Sequence, residues 1–227
     1  MEAVTRLAAL ARALATAGPP DARARAVLDA LDVRLDTDAG RLSVPGPTGT
    51  LIVANHVSWL DIVGLLAVEP ATFLAKREVA GWPLLGRAAT RLGTLFVDRW
   101  ALRALPDSVA AVAAHLRTGR SVVVFPEATT WCSAPGGEFR RAVFQAALDA
   151  GAPVRPVSLE YLQGGRPSTI AAFVGDDTLA RSVGRVARAA ELTLRVRTGT
   201  PLSPEGDRRS LADRARRAVL AVEPAHA

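Results

Sequence analysis

The chain has 227 residues, a length that suits one α/β domain with a sizeable buried core. Hydrophobic residues make up 49% of it, but many are alanine, and no run approaches the roughly 20 apolar residues of a membrane-spanning helix. The formal charge of +6 favours an anionic partner without choosing among lipid head groups, nucleotide-bearing cosubstrates and nucleic acid. The single cysteine, Cys132, excludes an intrachain disulfide framework.

The first 31 residues are predicted to form a helical segment ahead of the main domain. A second helix over residues 21–31 follows a first helix over residues 1–17, which either packs on the domain or lies on a membrane surface. Arg6 and Arg12 disfavour a signal peptide, because they interrupt what should be an uncharged apolar region. The apolar face of the first helix is predicted to comprise Val4, Leu7, Ala8, Ala11 and Leu14.

From residue 32 to residue 227, strand and helix patterns alternate. Strands are predicted at residues 33–36, 41–44, 51–54, 72–75, 94–97, 121–125, 154–159, 170–174 and 192–196. Helices are predicted from about Ser58 and over residues 83–92, 102–117, 139–150, 178–190 and 210–222. This alternation predicts a single α/β domain in which helices flank a mostly parallel central sheet.

The stretch after the predicted strand 51–54 holds the first candidate site. Asn55 and His56 follow the strand directly, and Asp61 lies five residues after the histidine. A histidine Nε2 can take a proton from an alcohol while a carboxylate holds its Nδ1–H. Ser58 and Asp61 also fit a capping box at the start of a helix, so for Asp61 alone both interpretations stay open.

Several enzyme classes are excluded by missing motifs. The sequence has no Gly-x-Ser-x-Gly elbow, no P-loop, no paired Cys-x-x-Cys and no His-Glu-x-x-His. Ser58 is a poor candidate for a nucleophile, because a hydroxyl that caps a helix points at backbone amides. A histidine that acts directly on a substrate remains.

Three segments together resemble a known family. Asn55–Asp61 resembles the N-H-x-S-x-x-D signature of the glycerolipid acyltransferases, the group typified by 1-acylglycerol-3-phosphate acyltransferase. Gly93–Arg99 resembles the family's G-x-x-F-I-x-R, and Phe125–Thr130 resembles its F-P-E-G-T-R, in family order and at family-like spacing. The resemblance covers about residues 48–160 and includes further family-like elements at residues 76–86, 139–144 and 154–157.

The resemblance implies a reaction. His56 would be the general base that deprotonates the free hydroxyl of a lysolipid, and Asp61 would orient it. The hydroxyl would attack the thioester carbonyl of acyl-CoA or acyl-carrier protein, with no acyl-enzyme, bound cofactor or metal, so Cys132 would be incidental. Backbone N–H groups near the strand end are expected to hold the oxyanion.

The resemblance also implies an acceptor site. Arg99 is the obvious ligand for a phosphate, because its planar fork can bind two oxygens. Three of the candidate residues also have a simpler interpretation. Arg99 could form a surface ion pair, Gly93 could serve only as a turn glycine, and Glu127 could be an exposed loop acid. The other candidate residues are Phe96, Thr129, Thr130, Lys76 and Arg140, with Asn55, Ser58 and Pro126 as supporting members of the motifs.

Two departures from the family pattern leave the acceptor open. Ala128 stands where the family has glycine, and Thr130 stands where it has the arginine that phosphatidate-forming members associate with the acceptor phosphate. Arg140, Arg141 and Lys76 are candidates to replace that arginine, with a solvated basic face as the simpler explanation. The acceptor is therefore either a lysolipid other than lysophosphatidate, or lysophosphatidate held by a rearranged basic set.

The partners follow from the same resemblance. A lipid substrate and the absence of a predicted spanning helix imply peripheral contact with the cytoplasmic face of a membrane. Trp82, Leu84 and Leu85 are candidates for this contact, although burial explains them equally well. Nucleic acid is disfavoured, because only 5% of residues are aromatic and the arginines are scattered. The alternatives are a glycerol-3-phosphate acyltransferase and a catalytically silent, membrane-binding homologue.

Overall fold

The computed structural model describes residues 2–76, 94–97, 105–132 and 136–221, apart from the side chains of Lys76 and Val97. In these ranges the helices are α1 Glu2–Ala15, α2 Pro20–Ala30, α3 Leu60–Val68, α4 Leu105–Arg117, α5 Ala142–Ala150, α6 Leu179–Val186 and α7 Arg208–Ala221. The strands are β1 Val33–Thr37, β2 Leu51–Ala54, β3 Thr72–Lys76, β4 Leu95–Val97, β5 Val122–Val124, β6 Val154–Gln163, β7 Arg166–Pro167 and β8 Leu192–Thr198. The predicted helix over residues 83–92 lies outside the described residues.

The described strands form one mixed sheet in the order β1-β8-β6-β2-β5-β3-β4, with β7 paired to β6. Strand β2 runs parallel to β5 on one side and to β6 on the other, with Ala54 opposite Val157. The only antiparallel pairs among the described strands are β6 with β8 and β6 with β7. The predicted α/β fold with a mostly parallel sheet is therefore confirmed.

Strand β2 lies in the interior of the sheet, and both of its faces are buried. Its four residues have no solvent exposure, and their side chains alternate between the two faces of the sheet. Ile52 and Ala54 join the core under α1, α2, α3 and α6, whereas Leu51 and Val53 join the core under α4, α5 and α7. Burying each large aliphatic side chain stabilises the fold by about 1.5–3 kcal/mol, which fixes the strand that leads to His56.

The strand predicted over residues 41–44 is wrong. The chain there has no regular structure, and the backbone N–H groups of Leu42 and Ser43 donate to Glu69 Oε2 at 2.7 and 2.8 Å. The Ser43 hydroxyl donates to the other carboxylate oxygen at 2.6 Å. One carboxylate thus satisfies donors that a neighbouring strand would otherwise bind, so the segment needs no place in the sheet.

The strand predicted over residues 170–174 is also wrong. Ala171 and Ala172 are buried, but the segment is a turn and loop. The Arg185 guanidinium donates to the carbonyls of Ile170 and Ala172, both at 2.7 Å, and the Phe173 N–H donates to Val57 O at 2.9 Å. An arginine and a loop therefore satisfy the backbone groups that the apolar pattern assigned to a strand.

Within the described ranges, three element boundaries differ from the prediction by three residues or more, and the others by no more than two. Helix α5 starts at Ala142, three residues later than predicted, and α6 ends at Val186 and not at residue 190. Strand β6 continues to Gln163, four residues beyond its predicted end, because it pairs with β8 from Val157 to Gln163. None of the helices in the described ranges is both long and apolar enough to cross a membrane.

Helix α1 packs on α2 through a face other than the predicted one. Leu10 and Ala13 are its buried residues, and the Arg6 guanidinium binds Asp32 and the carbonyls of Ala187 and Ala189. The apolar stripe predicted from the sequence, by contrast, is exposed along its whole length: Val4, Leu7, Ala8, Ala11 and Leu14.

Candidate active site

The Asn55 side chain pairs with strand β6 at the point where the main chain leaves the sheet. Its Nδ2 donates to Leu159 O at 2.9 Å, and its Oδ1 accepts from Leu159 N at 2.7 Å. These two bonds continue the pairing with β6 through a side chain, so the main chain is free to turn away after Ala54. His56 therefore leaves the sheet at the carboxyl end of β2, where α/β folds commonly place functional groups.

His56 and Asp61 form a close pair. His56 Nδ1 lies 2.8 Å from Asp61 Oδ2, and Asp61 is fully buried in the first turn of α3. The same oxygen accepts two backbone N–H groups, so Nδ1 carries the proton and Nε2 is the basic nitrogen. The His56 side chain is 19% exposed, and none of the described residues bonds to its Nε2.

Three further donors hold the Asp61 carboxylate. The N–H groups of Val57 and Ser58 donate to Oδ2 at 2.7 and 2.9 Å, and the Tyr161 hydroxyl donates to Oδ1 at 2.7 Å. The bond to Ser58 N is the acidic half of a capping box, although α3 begins only at Leu60. The Ser58 hydroxyl accepts from Leu60 N at 3.3 Å and is fully buried. Asp61 thus contacts both the helix start and the imidazole.

The imidazole of His56 stacks on an aromatic ring. The Phe125 ring lies 4.0 Å from it, centroid to centroid, at 13° between the planes. Phe125 in turn stacks on the buried Phe73 of β3 at 6.3 Å. Because one face of the imidazole is covered, its orientation is restricted beyond the hydrogen bond to Asp61.

Glu127 ties the loop after β5 to the loop after β2. It is only 7% exposed, and its carboxylate accepts from His56 N at 2.9 Å and from Gly137 N at 3.2 Å. A Cβ atom at Gly136 would lie 2.0 Å from Glu127 Oε1, so this contact requires glycine there. Burial raises the pKa of Glu127, and the His56 and Gly137 amides oppose that rise.

The backbone amides at the end of β2 are already occupied. The N–H of His56 binds Glu127, and those of Val57 and Ser58 bind Asp61, so these three groups do not match the oxyanion site expected there. The loop after β5 runs beside His56, because Trp131 N donates to His56 O at 2.8 Å. The amides of Thr129 and Thr130 in that loop have no hydrogen-bond partner among the described residues.

The two departures from the family pattern lie in the same loop. Ala128 has φ +68°, a left-handed conformation that glycine adopts freely and that costs alanine about 1–2 kcal/mol. The chain therefore keeps the backbone conformation of a glycine at this position. The Thr130 hydroxyl donates to Phe173 O, and Phe173 N donates to Val57 O, so Thr130 helps to hold the segment that closes over Val57.

Some of the remaining candidate residues lie in the described part of the structure, and the others lie outside it. Arg140 N donates to Pro126 O at 2.9 Å, which brings the exposed Arg140 next to the loop of Glu127. Phe96 is half-buried on β4, opposite Ala75, and Thr129 is exposed. Among the described residues, the aromatic ring that stacks on His56 is that of Phe125 and not that of Phe96. Gly93, Arg99, Trp82, Leu84, Leu85 and the side chain of Lys76 lie outside the described part of the structure.

Tyr161 is a residue of the site that the sequence analysis missed. The predicted strand stopped at residue 159, two positions short of it. The alternation of Val157, Leu159 and Tyr161 in an extended run was the available signal, because it places the three on one face of a strand. Within the described ranges, no three His, Cys, Asp or Glu side chains converge in a way that could hold a metal ion.

A histidine and a buried carboxylate, paired at the carboxyl end of a central parallel strand, are capable of acid–base chemistry on a hydroxyl. A family model named Acyltransferase matches residues 39–160, more than half of the chain. The chain belongs to this acyltransferase family, and it is an O-acyltransferase.

Three known proteins illustrate the similarity. A 1-acyl-sn-glycerol-3-phosphate acyltransferase of Neisseria meningitidis is 36% identical over 214 residues, which cover 90% of this chain and 83% of that protein. A lyso-ornithine lipid O-acyltransferase of Pseudomonas aeruginosa is 38% identical over 183 residues, 79% of this chain and 70% of the relative. The crystal structure of the 1-acyl-sn-glycerophosphate acyltransferase PlsC of Thermotoga maritima shares the fold, with a TM-score of 0.58 at 19% identity over 96% of this chain and 88% of its own.

Proposed function

We propose that this enzyme transfers a fatty acyl group from acyl-CoA or acyl-carrier protein to the free hydroxyl of a lysolipid, with His56 as general base. The observation that carries the proposal is the His56–Asp61 pair, with Nδ1 held at 2.8 Å and Nε2 left unbound by the described residues. It requires no bound cofactor and no metal. The enzyme acts at the cytoplasmic face of a membrane, which it contacts peripherally.

In this mechanism the proton moves between the substrates through His56. Nε2 accepts the proton of the lysolipid hydroxyl as its oxygen attacks the thioester carbonyl, and Asp61 stabilises the imidazolium that forms. The tetrahedral intermediate then expels the thiolate of the donor. Nε2 returns the proton to that sulfur, so the products are the acylated lipid and a free thiol.

The backbone amides of Thr129 and Thr130 are our candidates for the oxyanion site. Preorganised N–H donors at the position where charge develops are among the largest contributions to acyl transfer. The amides after β2 already bind carboxylates, whereas these two lie in the loop that contacts His56 through Trp131. This assignment replaces the expectation that the strand-end amides hold the oxyanion.

The acceptor is a lysolipid of one of two kinds, each of which appears in the name of a relative of this chain. One carries a glycerol phosphate, and the other carries ornithine, an amino acid. Thr130 stands where the family arginine is associated with a phosphate, and its hydroxyl is bonded to Phe173 O. This position therefore offers an incoming phosphate no cation, which favours the ornithine lipid unless Arg99, Arg140, Arg141 or Lys76 supplies the charge.

Replacing the base tests the reaction. We expect His56→Ala to lower kcat about 10²–10⁴-fold with folding retained, as measured by release of free CoA from acyl-CoA in the presence of a lysolipid. His115→Gln on α4 is the matched control, because it removes another histidine and should leave kcat unchanged. Near-normal activity of His56→Ala would overturn the mechanism.

Replacing Thr130 tests the acceptor. We expect Thr130→Arg to raise kcat/KM for lysophosphatidate relative to lyso-ornithine lipid, because it restores a charged donor that binds a phosphate more strongly than a neutral hydroxyl does. Thr130→Val removes the hydroxyl without adding charge, so it controls for the lost bond to Phe173. An unchanged ratio of the two kcat/KM values in Thr130→Arg would reject a phosphate-binding role for this position.

The same thiol-release assay separates the two alternatives. A glycerol-3-phosphate acyltransferase would release CoA with glycerol 3-phosphate and not with a lysolipid. A catalytically silent homologue would release none with either acceptor. Acyl-carrier protein thioesters, supplied in parallel, identify the donor.

A further inference from the structure

The Tyr161 side chain is a buried phenol that reaches Asp61 from β6. It is 2% exposed, and its hydroxyl donates to Asp61 Oδ1 at 2.7 Å. The other carboxylate oxygen, Oδ2, holds His56 Nδ1. One carboxylate therefore joins the imidazole and the phenol, which lie 105 positions apart in the sequence.

The phenol is held in the form that donates a proton. Burial raises the pKa of Tyr161 well above its usual range, and the negative charge of Asp61 raises it further. A hydrogen bond with Ser58 opposes this effect. The hydroxyl therefore stays protonated at any pH at which an acyltransferase operates, and Asp61 keeps its donor.

Strand β6 supports the site at two points two residues apart. Leu159 holds the Asn55 side chain through its backbone, and Tyr161 holds Asp61 through its hydroxyl. The strand is itself fixed between β2 and β8, which pair with it on either side. A group carried by a central strand positions its partner more accurately than a group on a loop does.

We propose that Tyr161 is a positioning residue for acyl transfer: its hydroxyl fixes the Asp61 carboxylate in the orientation that holds the His56 Nδ1–H and leaves Nε2 for the acceptor hydroxyl. The proposal rests on the proposed function in which His56 is the base. Since the Tyr161 side chain is buried and acts through Asp61, we expect it to affect kcat and to leave substrate binding unchanged.

The first test removes the hydroxyl alone. Tyr161→Phe keeps the ring and its packing, and we expect kcat to fall about 10- to 100-fold, the effect of losing one hydrogen bond to a charged group. The KM values for both substrates should stay within about twofold. Ser121→Ala is the matched control, because the Ser121 hydroxyl accepts from Thr50 N at 3.0 Å at the opposite end of β2 and should be dispensable for kcat.

The pH profile separates positioning from simple structural support. Loss of the donor concentrates negative charge on Asp61, which favours the protonated imidazole, so the acidic limb of kcat/KM should move to higher pH in Tyr161→Phe. Among the described titratable groups, Asp61 and Glu127 interact directly with His56, Tyr161 reaches it through Asp61, and Arg216 acts on Glu127. The variant removes the bonds of the Tyr161 hydroxyl to Asp61 and to Ser58 and leaves Asp61, Glu127 and Arg216 in place.

A second measurement leaves the amino-acid sequence intact. The chain contains one tyrosine, so biosynthetic replacement of tyrosine by 3-fluorotyrosine labels position 161 alone. We expect its ¹⁹F resonance to titrate with the midpoint of the acidic limb of kcat/KM, because protonation of His56 changes the charge at Asp61. The titration should be absent in His56→Ala.

The outcomes are distinct. Wild-type kcat and an unmoved pH profile in Tyr161→Phe, with His56→Ala inactive, would overturn the proposal and leave the general-base mechanism intact. A lower melting temperature with kcat unchanged would assign Tyr161 a purely structural role and also overturn it. Activity in His56→Ala would overturn the proposed function and this inference together.

Discussion

Glu127 occupies a different environment from the one that the family motif suggests. The motif implied a residue of the acceptor site, whereas both carboxylate oxygens bind backbone N–H groups, of His56 and of Gly137. A buried carboxylate with two amide donors fixes two loops relative to each other. Its part in binding the acceptor stays a prediction, and its contact with the His56 backbone makes a role in positioning testable.

Replacing Glu127 separates these two roles. Glu127→Gln keeps the shape but offers one acceptor oxygen to two buried N–H groups, so we expect the free energy of unfolding to fall by about 1–3 kcal/mol. Urea denaturation measures this. Glu138→Gln in the same loop is the control and should change stability little, because the Glu138 side chain is 83% exposed and lies 3.7 Å from Arg216. Unchanged stability in Glu127→Gln, with activity lost, would favour an acceptor-binding role alone.

Sequence spacing determines which contacts of the site could be predicted. His56 and Asp61 are five residues apart across a strand end and a helix start, so local geometry brings them together. Tyr161 meets Asp61 across 100 residues, and Leu159 meets Asn55 across 104. These two contacts depend on β6 lying beside β2, which a single sequence does not reveal.

At the scale of elements, three strands share a row of charges. Asp36 on β1, Arg195 on β8 and Glu160 on β6 are direct neighbours in register. Arg195 Nε lies 3.2 Å from Asp36 Oδ2, and its NH1 lies 3.1 Å from Glu160 Oε2. Arg197 adds a bond to Asp36 at 2.7 Å. Opposite charges across neighbouring strands stabilise the edge where β1 joins the sheet.

This charge row predicts a pH-dependent stability. The Arg197 hydrogen bond, assisted by Arg195, holds the pKa of Asp36 below its usual range, so its contribution is present at neutral pH and lost as the pH falls from about 4 through that lowered pKa. We expect Asp36→Asn to cost about 1 kcal/mol at pH 7 and progressively less as the pH falls through the lowered pKa of Asp36. Urea unfolding at several pH values tests this, with the exposed Asp213→Asn on α7 as control. A constant cost from pH 7 to pH 2 would contradict it.

The sequence predicted an element well where the pattern is local. It predicted poorly where a side chain, and not a neighbouring strand, binds the backbone groups of the segment. The fully buried β2 is found where its apolar run predicted it. The segments 41–44 and 170–174 carry strand-like patterns, but Glu69 and Arg185 bind their backbone groups from elsewhere in the chain. A pattern of apolar residues reports burial, and it does not report which partner satisfies the backbone.

At the scale of the molecule, α1 leaves an apolar stripe uncovered. Val4 is 73% exposed and Leu14 is 54% exposed, although Leu10 and Ala13 pack on the domain. An exposed helical stripe of this kind, on a chain with a formal charge of +6, suits the interface of an anionic membrane. One face of the first helix therefore packs on the domain, and contact of the other face with a membrane stays a prediction.

Flotation with vesicles tests that surface. We expect the double variant Val4→Ser and Leu14→Ser to reduce flotation with anionic liposomes several-fold and to leave the melting temperature unchanged, because both side chains are exposed. Trp82→Ala tests the second predicted surface in the same assay. The pair Leu10→Ser and Ala13→Ser is the contrast, since it should lower the melting temperature. If neither the double variant of Val4 and Leu14 nor Trp82→Ala changes flotation, both predicted membrane-contact surfaces are rejected.

The bond between Tyr161 and Asp61 has a consequence for how the enzyme acquires activity. During synthesis His56 and Asp61 emerge about 100 residues ahead of Tyr161 and Leu159, and contacts so distant in sequence form late because long loops must close first. A chain that has folded only as far as β5 therefore lacks the strand whose residues bond to Asn55 and Asp61 beside the histidine. On refolding we expect turnover to return no earlier than the docking of β6, so a nascent or truncated chain stays inactive until the second half of its sheet has assembled.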